Sequence, residues 1–88
     1  MNLYSNKVIP HSVVDTFKDL VSACSQDSNE LAHAVIDIIR RKSILHEAAD
    51  GADVSILVAS IKVSIKREYP ALYNNCCRII DAWMITKV

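Results

Sequence analysis

The sequence is poor in the residues that break or bend a chain. It contains one glycine and two prolines among 88 residues. Disordered segments are polar, highly charged or rich in proline and glycine, so this scarcity and a hydrophobic fraction of 51% predict an ordered chain. The single glycine also excludes the usual phosphate-binding loops, because these need several glycines where backbone amides approach an anion.

Net charge and long apolar runs are also absent. Ten basic residues balance ten acidic ones, so no general field attracts phosphate backbones or anionic lipids. No apolar run approaches the roughly 20 residues of a membrane span, and residues 1–12 lack the basic start and apolar middle of a secretory signal. These features predict a cytoplasmic protein with no membrane partner, and they disfavour nucleic acid as the main partner.

The length predicts a single domain over residues 1–88, with residues 1–11 as a polar lead-in. A chain this short builds one hydrophobic core and buries only about 60–65% of its unfolded surface. The stability margin is therefore thin, and association with a protein partner or a second copy would add to it. A homodimer is consequently one expected way of completing the core.

Apolar residues recur at helical spacing in most of the chain. The first helix is expected from Ser12 to Cys24 or Ser25, followed by a turn over residues 25–28. Asp27 and Glu30 have the spacing of a helix N-terminal box. The second helix then extends toward Gly51, and the pattern leaves open whether it breaks at Ser43. A last helix is expected from Pro70, with residues 85–88 frayed.

Residues 54–67 fit two patterns. A helix capped by Asp53 gathers Val54, Leu57 and Ile61 on one face, but residues 60–66 alternate polar and apolar as a strand does. Helix is preferred because the chain has no second segment with which such a strand would pair. The chain as a whole is therefore predicted to be all-α, a small bundle of about four helices.

Catalytic and metal-binding motifs are not assembled in the sequence. Cys76 or Cys77 beside a histidine would form a minimal nucleophilic pair, but Cys76 falls on the apolar stripe of the last helix and is expected to be a buried thiol. Three cysteines, an odd number, give a poor disulfide framework. The three histidines form no close pair with metal-ligand spacing. We therefore expect no enzyme activity, metal or cofactor.

Two surfaces remain as candidate binding sites. Ile56 and Val63 lie off the main stripe of the third helix and predict an exposed apolar face. Trp83 and Met84 near the end of the chain are further candidates for partner binding, but Trp83 also falls on the apolar stripe of the last helix and is equally suited to complete the core. The leading hypothesis is a non-enzymatic protein-binding module, such as a small regulatory adaptor, inhibitor or chaperone. The alternative is a small nucleic-acid-binding regulator that uses a basic patch made of Arg40, Arg41, Lys42, Lys62, Lys66 and Arg67.

Overall fold

The computed structural model describes residues 9–87, and in this range the chain is all-α with no strand. Five α-helices and one 3-10 turn follow one another in short succession, which confirms the predicted fold class. Residues 1–8 of the predicted lead-in lie outside the described residues. The elements are α1 His11–Asp27, α2 Asn29–Arg41, α3 Ile44–Ala49, α4 Val54–Glu68, the 3-10 turn Pro70–Leu72 and α5 Tyr73–Lys87.

The junction of α1 and α2 is tighter than the sequence pattern predicted. Helix α1 continues to Asp27, so most of the expected turn over residues 25–28 is helical. Ser28 alone separates the helices, and its hydroxyl oxygen accepts a hydrogen bond of 3.3 Å from the Leu31 backbone N–H. The prediction that Asp27 caps α2 is therefore wrong by one residue. Ser28 satisfies one of the amide groups that the first helical turn leaves without a partner.

The helical pattern after α2 is interrupted at Ser43, which settles the point that the sequence left open. Ser43 has a φ of 52° and a ψ of 40°, the left-handed conformation. Such a residue ends one helix and redirects the chain into the next. The short helix α3 then stops before Gly51, whose φ of 99° favours a residue without a side chain. One predicted helix is thus two.

Helix α4 confirms the helical interpretation of residues 54–67, and the strand alternative is wrong. Asp53 caps it as expected, accepting a hydrogen bond of 2.8 Å from the Ser55 backbone N–H. Pro70 opens the 3-10 turn that leads into α5. The predicted fraying near the end is wrong for the described part, because α5 continues to Lys87.

The core lies among the four long helices α1, α2, α4 and α5. Helix α1 packs against α2 and α5, and α4 packs against the same two helices from the other side. Each of these four helices contributes side chains that are almost fully buried, including the fully buried Cys24 and Cys76. The aliphatic centre of this core consists of Leu20, Leu31, Val35, Ile38, Ile44, Ile61, Ile65 and Ile80.

Candidate protein interface

Helix α4 carries an apolar face that points away from the core. Ile56 is 66% exposed and Val63 is 58% exposed. Two helical turns separate them, and the exposed Ala59 lies between them on the same side. We call Ile56, Ala59 and Val63 the α4 face. The buried side chains of α4 lie on its opposite side and comprise Leu57, Val58, Ile61, Ser64 and Ile65.

The two ends of the α4 face carry opposite charges. At the start, Oδ1 of Asp53 accepts hydrogen bonds from the backbone N–H and the hydroxyl of Ser55, at 2.8 and 2.9 Å. These bonds lower the pKa of the Asp53 carboxyl, so the group is ionised at neutral pH. At the other end, Lys66 and Arg67 are exposed. The Lys66 ammonium lies 5.3 Å from the centre of the Tyr73 ring.

The other two residues predicted for partner binding lie on α5. Trp83 is only 5% exposed, and its Nε1–H donates a hydrogen bond of 2.9 Å to Asp19 Oδ2. The indole therefore completes the core between α1 and α5. Met84 is half-buried against the same core. Besides Ile56 and Val63, the large apolar side chain that is exposed in the described range is Ile85.

Sequence reasoning identified Ile56 and Val63 but missed the rest of the face. Ala59 lies three residues after Ile56 and four before Val63, a spacing that places all three on one side of a helix. The sequence pattern also does not connect the two charged ends of the face, because Asp53 fits a helix cap and Lys66 fits a basic cluster. Helical spacing over residues 53–66 is enough to predict both the position of Ala59 and the charged ends of the face.

Two members of the predicted basic patch, Arg41 and Lys62, are paired with acidic residues. Arg41 donates hydrogen bonds to Asp37, at 3.0 Å, and to Glu68, which brings the end of α2 beside the end of α4. The bonds to Glu68 and Asp37 raise the pKa of Arg41. Lys62 pairs with Asp81 on α5, which raises the Lys62 pKa in turn.

The remaining members of the basic patch are more available. Arg40, Lys42 and Arg67 are exposed and form no salt bridge with another described residue. Four of the cations, Arg40, Arg41, Lys66 and Arg67, lie in the last turns of α2 and α4. In that position they also offset the negative ends of the helix dipoles.

Two of the three cysteines, Cys24 and Cys76, lie in surroundings that disfavour the thiolate. Cys24 and Cys76 are fully buried free thiols, and Cys77 is half-buried. Burial raises the pKa of Cys76 to about 12 and that of Cys24 to about 11, where the Asp27 carboxylate adds to the effect. An activated nucleophile requires the opposite shift. Both buried thiols act as small apolar core groups.

Residues 9–87 hold no group of three or more His, Cys, Asp or Glu side chains placed to bind a metal ion. In the same range, no helix combines the length and apolarity needed to cross a membrane.

An open groove of about 390 Å³ between α1, α2 and α3 is mainly apolar, lined by Val14, Phe17, Lys18, Val21, Ile36, Ile39, Arg40 and Leu45.

The fold and the α4 face define a small all-α domain with an apolar helix face turned to solvent. The chain matches no protein-family model, no curated protein and no solved structure. Its function is therefore inferred from its own residues and contacts.

Proposed function

We propose that the protein is a non-enzymatic protein-binding module, of the kind used by small regulatory adaptors, inhibitors and chaperones, and that the α4 face is its docking surface. The observation that carries the proposal is the exposure of Ile56 and Val63, at 66% and 58%, on one side of a well-packed helix. Covering such side chains is favourable by about 25 cal/mol for each Å² of apolar surface removed from water.

The exposure of the α4 face is not explained by a defect in the core. The buried side of α4 is filled by its own aliphatic residues, and no buried polar side-chain atom of the described residues lacks a hydrogen-bond partner. The core is therefore complete without the side chains of Ile56 and Val63. Single exposed apolar residues are common on protein surfaces, whereas two that share a face with a small residue between them suit the docking of another helix.

Site-specific photo-crosslinking tests the proposal. A photoreactive benzoyl-phenylalanine replaces Val63 in one variant of the full chain, and it replaces the exposed Glu30, on α2, in a control variant. After irradiation in cells, we expect the Val63 variant to form covalent adducts with a protein of defined mass. Equal adducts at both positions, or none at Val63, would contradict the proposal. The mass of the adduct also separates a different protein from a second copy of this chain.

A second candidate function is nucleic-acid binding through the basic patch. The observation that favours it is the pairing of Arg41 with Glu68, which places Arg40 and Lys42 at the same end of the molecule as Arg67. Exposed cations grouped in this way suit contacts to phosphates. Asp37, Glu68 and Asp81 lie among them and reduce the local positive charge, so protein binding remains the first proposal.

Fluorescence anisotropy with labelled duplex DNA and single-stranded RNA tests the second candidate. If the patch binds phosphates, the affinity falls steeply as salt rises, and Arg67→Ala weakens binding about equally for all sequences. Arg78→Ala is the control, because Arg78 pairs with Asp27, at the junction of α1 and α2. Absence of binding at low salt would reject this function.

A further inference from the structure

The α4 face has a symmetry that points to one particular occupant. Its apolar residues are spaced evenly about the point between Ala59 and Ser60, with Ile56 three residues before Ala59 and Val63 three residues after Ser60. Asp53 lies three residues before Ile56, and Lys66 lies three residues after Val63. An acid, two apolar groups and a base therefore follow one another along the length of the helix, with the charged groups at the two ends of the face.

This order is complementary to itself when it is reversed. If a second α4 lies antiparallel with its Val63 opposite Ile56, the twofold axis passes between Ala59 and Ser60. The same register places Lys66 of the second chain opposite Asp53 of the first, and the reverse pair forms by symmetry. One alignment therefore matches both the apolar and the charged pairs, as a symmetric homodimer interface requires.

We propose that the occupant of the α4 face is a second copy of this chain, docked antiparallel in this register. The inference rests on the proposed function, since it names the partner of the same surface. The small side chain of Ala59 near the axis lets the two helices approach closely, within the usual separation of about 8–10 Å between packed helices.

The charged groups are available for these pairs. Both hydrogen bonds that Asp53 makes to Ser55 use Oδ1, which leaves Oδ2 to accept from an ammonium. In the single chain, Lys66 forms no salt bridge with another described residue, and its ammonium contacts the Tyr73 ring. Dimerisation thus breaks no ion pair of the described residues.

The expected dimer is weak and reversible. Helix α4 has 15 residues, which corresponds to a length of about 22 Å. A contact one helix wide and of this length buries less than the roughly 1,200 Å² of a standard stable interface. We therefore expect a dissociation constant on the order of 100 µM rather than a permanent dimer.

Disulfide trapping tests the register directly. In a Cys77→Ser background, which removes the half-buried native thiol, one variant carries Ala59→Cys and another carries Ile56→Cys. Across the proposed axis, the two copies of position 59 are offset along the helices by only about 1.5 Å, and the two copies of position 56 by about 10 Å. A disulfide needs Cα atoms closer than about 7 Å.

Mild oxidation of the purified chains should therefore link Ala59→Cys into a covalent dimer at least about tenfold faster than Ile56→Cys. An equimolar mixture of the Ile56→Cys and Val63→Cys chains should crosslink about half as fast as Ala59→Cys, because these positions face each other in the register and about half of the dimers pair the two variants. Equal rates for Ala59→Cys and Ile56→Cys alone would overturn the antiparallel arrangement. Slow crosslinking of every variant would overturn the second copy as occupant.

The charged pairs have a separate test by sedimentation equilibrium. Lys66→Glu places two carboxylates opposite each other twice in the dimer, so we expect about a tenfold weaker association. Arg78→Glu is the control, and it should leave the association unchanged. Unchanged association of Lys66→Glu would overturn the register. If the chain does not self-associate but the Val63 photoadduct has the mass of a different protein, the second-copy inference fails and the proposed function stands.

Discussion

Trp83 links α5 to α1 through its indole N–H, which donates to the Asp19 carboxylate at 2.9 Å. Trp83→Phe keeps an aromatic ring in the core but removes this donor. We expect a loss of about 1–2 kcal/mol in the free energy of unfolding, since a hydrogen bond to a charged group is lost with part of the ring volume. Urea unfolding followed by circular dichroism measures it.

The matched control for Trp83 is Asp19→Asn, which retains an acceptor oxygen for the indole and should cost less. If Trp83→Phe were as stable as the native chain, the residue would not be the core anchor that its 5% exposure indicates. It would then become a candidate for partner binding again.

Burial of Cys76 makes the free energy of unfolding depend on pH in the alkaline range. Its folded-state pKa is about 12, against about 9 for an unperturbed thiol, because burial disfavours the thiolate. The folded state therefore holds this proton more tightly than the unfolded chain. The stability that Cys76 contributes is complete below the unfolded pKa and is lost as pH rises from there through the folded pKa.

We expect the free energy of unfolding to fall more steeply above pH 9 in the native chain than in a Cys76→Ala variant. The slope is the informative quantity, because the cavity left by the substitution lowers stability at every pH. Urea unfolding at intervals from about pH 8 to about pH 11 measures both curves. Parallel curves would show that the thiol proton is held equally in both states.

Among the elements, the α2–α3 junction stores backbone strain at Ser43. Its φ of 52° is costly for a residue with a Cβ, and its side chain makes no capping hydrogen bond. Ser43→Gly should therefore raise the free energy of unfolding by about 0.5–1 kcal/mol. Thermal unfolding of this variant beside Ser43→Ala measures the effect.

Ser43→Ala is the control for this prediction because it removes the hydroxyl and keeps the Cβ. It should leave stability nearly unchanged. Gly51→Ala should act in the opposite direction, since its φ of 99° is unfavourable for alanine although the space around it is open. Stabilisation by alanine at position 43 would show that the hydroxyl, not the backbone, is responsible.

The sequence was sufficient for the fold class and for most helices, because the apolar spacing of α1, α2 and α5 is set by local geometry. It was insufficient at Ser43, where the residue type carries no left-handed preference comparable to glycine. It also left α4 ambiguous, because β-branched residues at alternate positions satisfy the strand pattern locally. Packing against α2 and α5 decides for helix.

The candidate site was predictable only in part, because some of the contacts around it join residues that are far apart in sequence. Exposure of Ile56 and Val63 follows from their distance from the apolar stripe. By contrast, the acceptor for the Trp83 indole N–H is Asp19, a residue 64 positions away in sequence. Likewise, the pairing of Arg41 with Glu68 spans 27 positions, and helical periodicity within one element carries no information about such contacts.

At the scale of the whole molecule, salt bridges connect different helices to one another. Three pairs join α2 to α4, α4 to α5 and α5 to α1, and they are Arg41 with Glu68, Lys62 with Asp81 and Arg78 with Asp27. These pairs are at least partly exposed, so each contributes little by itself. The buried aliphatic core supplies most of the stability, and the α4 face adds to it only when covered.

The α4 face should therefore be dispensable for folding. We expect the Ile56→Asp and Val63→Asp double variant to keep the native helical content, with the free energy of unfolding of the single chain changed by less than about 1 kcal/mol. Ile61→Asp, by contrast, should prevent folding because Ile61 is fully buried. Far-ultraviolet circular dichroism distinguishes these outcomes, and unfolding of the double variant would show that the face belongs to the core.

Sedimentation equilibrium over a wide range of protein concentration tests the central claim most directly. The native chain and Ile85→Asp, which changes an even more exposed apolar residue on α5, should both increase in average mass from monomer toward dimer. The folded Ile56→Asp and Val63→Asp double variant should remain a monomer at every concentration. A native chain that stays monomeric, or a double variant that associates as strongly as Ile85→Asp, would contradict self-association through the α4 face.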